Sequence, residues 1–421
     1  MSDFERPQKS ILLERLEEQP QRIIFVTGPR QTGKTTLVNQ VLSQTYRPSR
    51  FSSVDEPVSD VSSLQAADAL PYGTSTNLGF VHKDVRWLVA EWEAVRQAAR
   101  NSQAGFVFAI DEIQKIPNWS EAVKGLWDAD RREGRNIHVI LLGSAPLLMQ
   151  KGMSESLAGR FETIRLTHWS FPEMSAAFGF DLPHYIYFGG YPGGAALTHD
   201  QDRWLAYLQD ALIKTNIEQD ILAMQRVDKP ALLKQLFELC VAYSGQILSY
   251  NKLLGQLHDA GNTTTLARYL ELLSSSGLVA GLPKYSGSAY RRRASSPKLN
   301  VLNTALISAN STRTFEEAQA DRSFWGRMVE SAVGAHLFNY LPRGCGLHYW
   351  REHGHEVDFV LERAGRLVAI EVKSGARPSS TVGLREFAQR EHVMRSLIVG
   401  TDGIPLAEFL STPVKEWFAG A

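Results

Sequence analysis

One short stretch restricts the fold more than any other: Arg22 to Leu37, RIIFVTGPRQTGKTTL. Ile23 to Val26 is a continuous, β-branched apolar run, the pattern of a strand covered on both faces. Gly28, Pro29, Arg30, Gln31, Thr32, Gly33, Lys34 and Thr35 then fit G-x-x-x-x-G-K-[ST], and Thr36 leads into a helix-like pattern. Strand, loop and helix in this order wrap backbone N–H groups around phosphates. Lys34 would neutralise the β and γ oxygens, and the Thr35 hydroxyl would ligate Mg²⁺.

A second stretch supplies the acids such a loop needs. Gly105 to Glu112, GFVFAIDE, is an apolar run ending in paired carboxylates, as a central parallel strand does where its carboxyl end meets a nucleotide. Asp111 would hold Mg²⁺ through its water shell, and Glu112 would orient the hydrolytic water as general base. Ile137 to Ser144, IHVILLGS, is another buried strand; Ser144 either senses the γ-phosphate or caps the next helix. In SLAGRFETIRL, Arg160 sits in a glycine turn before a further strand, as a functional loop arginine or as a solvated charge.

A chain of 421 residues has room for two to four domains, each with its own core. With 45 basic and 45 acidic residues, any surface that grips nucleic acid must be local. Two distant cysteines, Cys240 and Cys345, exclude a zinc cluster and a disulfide framework, and they suit a reducing compartment. The charged N-terminus has no signal-peptide core and no run approaches a membrane span, so a soluble, cytoplasmic protein with no membrane partner is expected.

In order, GPRQTGKT, FVFAIDEIQKIPNW, LLGSAPLLM and LAGRFETIRL resemble an AAA+ type P-loop ATPase. More narrowly, they are similar to the bacterial and archaeal ATPases that carry a C-terminal domain of unknown function, a resemblance covering nearly the whole chain. It implies ATP and Mg²⁺ as cofactors and a homo-oligomeric, hexameric ring in which Arg160 reaches a neighbour's γ-phosphate as an arginine finger.

Beyond the turn FGGYPGG at 188–194, Asp202 to Met224 reads as a helix with Trp204, Leu205, Leu208, Leu212, Ile213 and Ile217 along one side. NKLLGQLHDAG, NTTTLARYLELLSSSG and LVAGLPKY then read as helix, glycine turn, helix and strand, which resembles a winged helix. In that arrangement the second helix enters the major groove, so Thr264, Thr265 and Arg268 would face DNA. A protein-docking module is the alternative. The one dense basic run, Arg291, Arg292, Arg293 and Lys298, has the composition that phosphate contacts need, although a solvated charge run has it too.

From Phe324 onward a third unit reads as helix, three strands, helix and strand. Glu330 on the helix, Asp358 on the second strand and Glu371-x-Lys373 on the third resemble a restriction-endonuclease-like core of the PD-(D/E)xK type. Strand alternation puts Glu371 and Lys373 on one face with Val372 behind them. Asp358 and Glu371 could share a Mg²⁺ while Lys373 activates water.

The expected class is thus α/β: an AAA+ core at 1–190, a helical linker at 191–240, a winged helix at 241–295 and a nuclease-like domain at 296–421. The expected function is an ATP-hydrolysing, ring-forming motor or remodeller acting on double-stranded or branched DNA. Its rivals are an ATP-licensed, Mg²⁺-dependent DNA nuclease of defence or repair and an ATP-dependent protein-binding scaffold.

Overall fold

The computed structural model describes residues 4–56, 83–143, 156–221, 227–258, 261–286, 295–375 and 381–419. The chain divides into two compact units. One holds Glu5–Gly28 and Gly33–Leu166; the other gathers Phe4, Pro29–Thr32 and everything from Thr167. The division at 166/167 falls well before residue 190, where the sequence suggests the core ends.

The first unit is built on five parallel strands: β1 (Ile23–Thr27), β2 (Ser49–Ser53), β3 (Phe106–Asp111), β4 (Ile137–Gly143) and β5 (Phe161–Arg165). They lie in the order β2-β3-β4-β1-β5. Alternation along β1 explains the two-sided burial. Ile23 and Phe25 join a core with Trp92, Phe108 and Leu141, while Ile24 and Val26 join another with Leu16, Leu37 and Val41. Helices α1 (Gln8–Glu17) and α2 (Lys34–Gln44) supply the second face. Helices α3 (Val85–Arg100) and α4 (Trp119–Arg132) supply the first. A parallel strand buried on both sides has no polar face, which is why IIFV carries no alternation in hydropathy.

The second unit opens with short helices. Residues 201–206 are α-helical, but Tyr207–Lys214 and Asn216–Ile221 form i→i+5 helix in place of the single α-helix the stripe suggests. The apolar spacing accompanies it: among the described side chains the buried apolar residues are Trp204, Leu208, Leu212, Ile217 and Ile221, at intervals of four and five. Next come α5 (Pro230–Ala242), α6 (Tyr250–Gln256) and α7 (Thr263–Ser275), the last capped by the Asn262 side chain on Thr265 N–H. Strands β6 (Val279–Leu282) and β7 (Lys298–Val301) pair antiparallel, and Ile247 bridges to Lys298. The expected boundary at 295/296 therefore cuts a ladder, and that at 240/241 cuts α5.

After α8 (Arg322–Asn339), four strands form the sheet β11-β10-β9-β8: β8 (Cys345–Glu352), β9 (His355–Arg363), β10 (Arg366–Lys373) and β11 (Val393–Gly400). The first three are antiparallel neighbours. β11 lies parallel to β10 after a crossover through α9 (Val382–Arg390), because parallel neighbours need a long connection. Among the described residues no helix is long and apolar enough to cross a membrane.

Candidate functional site

The phosphate loop leaves β1 at Gly28, whose φ of +159° comes with a tight approach: a Cβ there would lie 2.2 Å from the Leu166 carbonyl oxygen. Gly33, at φ +86°, takes the left-handed turn that opens α2. Lys34 is buried and its Nζ donates to the Gly28 carbonyl at 3.0 Å, across the mouth of the loop. Thr35 and Thr36 stay exposed. Thr35 Oγ1 donates to Asp111 Oδ2 at 2.7 Å, so the loop helix and the acid strand meet through the two side chains expected to serve Mg²⁺. A hydroxyl beside a carboxylate is a set of hard oxygen donors, and it fits that ion.

Strand order explains how this contact arises. β4 lies between β1 and β3, so the loop and the acids stand one strand apart at the carboxyl edge of a single parallel sheet. β4 ends there at Gly143; Ser144 lies outside the described residues.

Glu112 leaves the strand with φ +55°, a conformation a non-glycine residue adopts at some cost. Its backbone N–H donates to Asp111 Oδ1 at 2.9 Å. One turn of 3₁₀-helix follows, Ile113–Lys115, and folds Gln114 back so that Nε2 donates to Glu112 Oε2 at 2.5 Å. Arg160 precedes β5 and forms a two-pronged pair with Asp128 on α4, at 2.8 and 3.0 Å. This pair lifts the guanidinium above its ordinary pKa and holds the Asp128 carboxyl below the usual range.

The second unit brings Glu330, Asp358, Glu371 and Lys373 into one cluster, and it adds Lys298 and Glu356. Lys298 Nζ lies 2.7 Å from Glu330 Oε1, 3.3 Å from Asp358 Oδ1 and 3.4 Å from Glu356 Oε1. Its side chain has no exposed surface. Lys298 is therefore not the DNA contact that its place in the basic run suggests: β7 turns it inward, where three carboxylates hold it. Burial opposes its charge, yet Asp358, Glu330 and Glu356 together keep its pKa above the ordinary lysine value. Asp358 Oδ2 accepts from Val372 N–H at 2.8 Å, and Lys373 Nζ lies 2.5 Å from Glu371 Oε1.

Glu371 Oε2 is buried and has no hydrogen-bond partner among the described residues. Burial, and then repulsion from Asp358, push the Glu371 carboxyl up to about 7 against the pull of Lys373. Glu330 is likewise pushed up to about 7 by burial, with Lys298 opposing. An orphaned carboxylate oxygen beside a second carboxylate fits a cation shared by Asp358 and Glu371. No three His, Cys, Asp or Glu side chains among the described residues are placed to hold a metal ion together.

Thr264 and Arg268 are exposed on α7, whereas Thr265 is half-buried and bonded to its cap. Arg291, Arg292 and Arg293 lie outside the described residues. Cys240 is buried, its thiol pushed up to about 12 by burial, consistent with an inert packing role. Three contributors escape a reading of the sequence: Asp128, Glu356 and Gln114. Only Gln114 carries a local signal, standing two residues beyond the acid pair in DEIQ.

Residues 20–175 match the family model of an AAA domain. Residues 179–316 and 325–409 match two domains of unknown function, DUF8612 and DUF4143. The uncharacterized proteins Mb2031c of Mycobacterium bovis and Rv2008c of Mycobacterium tuberculosis are each 26% identical over 393 residues, covering 92% of this chain and 78% of theirs. Among solved structures, the Walker-type ATPase PABY2304 of Pyrococcus abyssi aligns with 16% identity and a TM-score of 0.43, over 73% of this chain and 95% of that one. The RuvB Holliday junction branch migration motor of Thermotoga maritima aligns with 17% identity and a TM-score of 0.30, over 66% and 88%. At these scores neither superposition adds to what the order of the sheet states. The phosphate loop, the acid strand and the parallel sheet all fall within residues 20–175, the span that matches the AAA-domain model.

Proposed function

We propose that the chain is an ATP-hydrolysing, ring-forming motor or remodeller that acts on double-stranded or branched DNA. The observation that carries the ATPase part is the 2.7 Å bond from Thr35 to Asp111, which joins the phosphate loop to the acid strand. Mg²⁺, held through Thr35 and the water shell of Asp111, supplies charge neutralisation at the β and γ oxygens. Lys34 adds a fixed positive charge beside the same phosphates. Residues Gly28, Pro29, Arg30, Gln31, Thr32, Gly33 and Thr36 complete the backbone wrap around them. Glu112 takes the proton of the attacking water. Ser144 serves as the γ-phosphate sensor, and Arg160 acts across a subunit interface once it leaves Asp128.

The DNA part rests on α5 to α7 followed by the β6–β7 ladder, the element order of a winged helix, with Thr264 and Arg268 exposed on α7 beside Thr265. Arg291, Arg292 and Arg293, which fall between β6 and β7 in the sequence, serve phosphates. Reversing those three arginines to glutamate should weaken DNA binding across all sequences and flatten its salt dependence. Unchanged binding at low and high salt would remove this surface from the proposal and favour a protein-binding scaffold.

A second reading has its own observation, the orphaned Glu371 Oε2 beside Asp358. The helix, four-strand sheet and crossover helix of the C-terminal part support a restriction-endonuclease-like fold, in which Asp358 and Glu371 hold a divalent ion. That ion, when bound, supplies polarisation of a phosphodiester; Lys373 positions the water, while Glu330 anchors the lysine side of the cluster. Nicking of linear, forked or four-way DNA with Mg²⁺ or Mn²⁺, lost in Asp358→Ala with ATP turnover intact, is the expected result. Absence of cleavage on every substrate with either metal would leave the fold as a grip only.

A further inference from the structure

The acid strand ends in a small construction that the roles of Asp111 and Glu112 leave unexplained. Gln114 is 8% exposed, and its amide is divided between two situations. Nε2 donates to Glu112 Oε2 at 2.5 Å, while Oε1 is buried and has no partner among the described residues. A buried amide oxygen left unpaired costs on the order of 1–3 kcal/mol, a cost the fold bears while the same side chain holds Glu112 through Nε2. The backbone bears a second cost at the same place. Glu112 sits in the left-handed region, and this strained residue starts the single 3₁₀ turn that carries Gln114 back to the carboxylate. Remaining in the strand would send the side chains of residues 112 and 114 along it, with Cα atoms nearly 7 Å apart and no returning turn.

We propose that Gln114 is the positioning residue of the catalytic base: its Nε2 fixes the Glu112 carboxylate in the orientation that takes a proton from the hydrolytic water. In the step it serves, the water oxygen forms a bond to the γ-phosphorus and the bridging β–γ P–O bond breaks towards ADP. One water proton passes to Glu112, and the other stays on the phosphate product. This inference rests on Glu112 as the base.

The test is a double-mutant cycle on the full chain, reading ATP turnover together with nucleotide affinity. Gln114→Leu should lower turnover about 10- to 100-fold, a span at the low end of general-base effects, with ATP affinity within about twofold of the wild type. In a Glu112→Gln background the same change should cost less than about threefold, because the group it positions is already gone. Equal losses in both backgrounds would make Gln114 a structural residue, and wild-type turnover in Gln114→Leu would dismiss it. Should the leucine variant lose its folded unfolding transition, Gln114→Glu keeps the size. It should also impair turnover, since it sets a carboxylate against a carboxylate; undiminished turnover there would equally overturn the inference. A wild-type rate in Glu112→Gln alone would instead sink the base assignment.

Discussion

The phosphate loop and the C-terminal cluster both join lysines to carboxylates, yet they dispose of charge in opposite ways. In the loop, Lys34 is held by a backbone carbonyl at 3.0 Å, and Asp111 is held by a hydroxyl and a backbone N–H. These bonds leave both side chains at the carboxyl edge of the sheet, where a charged ligand would meet them. In the cluster, Lys298 is shared by three carboxylates and Lys373 is paired with Glu371. Glu371 Oε2 is buried there without a hydrogen-bond partner among the described residues. The first site is prepared for a polyanion. The second sets four carboxylates around two lysines, so what it still lacks is positive charge.

Several experiments can break this contrast, and the largest effect belongs to Lys298. Lys298→Met leaves Glu330, Glu356 and Asp358 uncompensated, and stranding a buried charge costs about 3–5 kcal/mol. Denaturant unfolding of the full chain should show a loss of that size in the C-terminal transition, while ATP affinity is retained. A loss below about 1 kcal/mol would mean the ammonium is not needed where it stands.

Acidity provides a smaller and signed effect. The carboxyls of Glu330 and Glu371 are raised in the folded chain from 4.5 to about 7. Between those values the native state binds more protons than the unfolded chain, so stability falls as pH rises through the window. Their contribution is fully present below pH 4.5 and lost above about 7. Unfolding curves at intervals across this range should show that decline, and Glu330→Gln should flatten it. A slope unchanged in Glu330→Gln would mean that another group titrates there.

The smallest effect on stability belongs to the arginine before β5. Asp128 and Arg160 are a third exposed and screened by solvent, so breaking their pair should change the unfolding transition very little. Arg160→Ala should nonetheless cut ATP turnover with affinity nearly intact, because a finger stabilises charge that develops only in the transition state. Mixing Arg160→Ala with Lys34→Ala chains should restore part of the activity. No recovery in any mixture would count against a finger acting between subunits.

The same contrast explains what could be read before the fold was known. GPRQTGKT and AIDE are contiguous because phosphates are wrapped by consecutive backbone N–H groups and because carboxylates at a strand end need only their own strand. Sheet order then brings Thr35 and Asp111 together. The C-terminal cluster is assembled from β7, α8, β9 and β10. Glu371 and Lys373 were legible through strand alternation, but Lys298 looked like one more cation of a basic run. Nothing in YRRRASSPK marks its last residue as inward-facing; the β6–β7 pairing does that. The i→i+5 segments Tyr207–Lys214 and Asn216–Ile221 are equally illegible, because the stripe Trp204, Leu205, Leu208, Leu212, Ile213 and Ile217 suits an α-helical face as well.

The central claim is that the N-terminal site hydrolyses ATP by separating phosphate binding from water activation. It is tested most directly by measuring ATP binding and single-turnover hydrolysis side by side in two variants. Lys34→Ala should lose binding, whereas Glu112→Gln should bind ATP as the wild type does and hydrolyse it about 100- to 10,000-fold more slowly. Hydrolysis at the wild-type rate by Glu112→Gln would contradict the account.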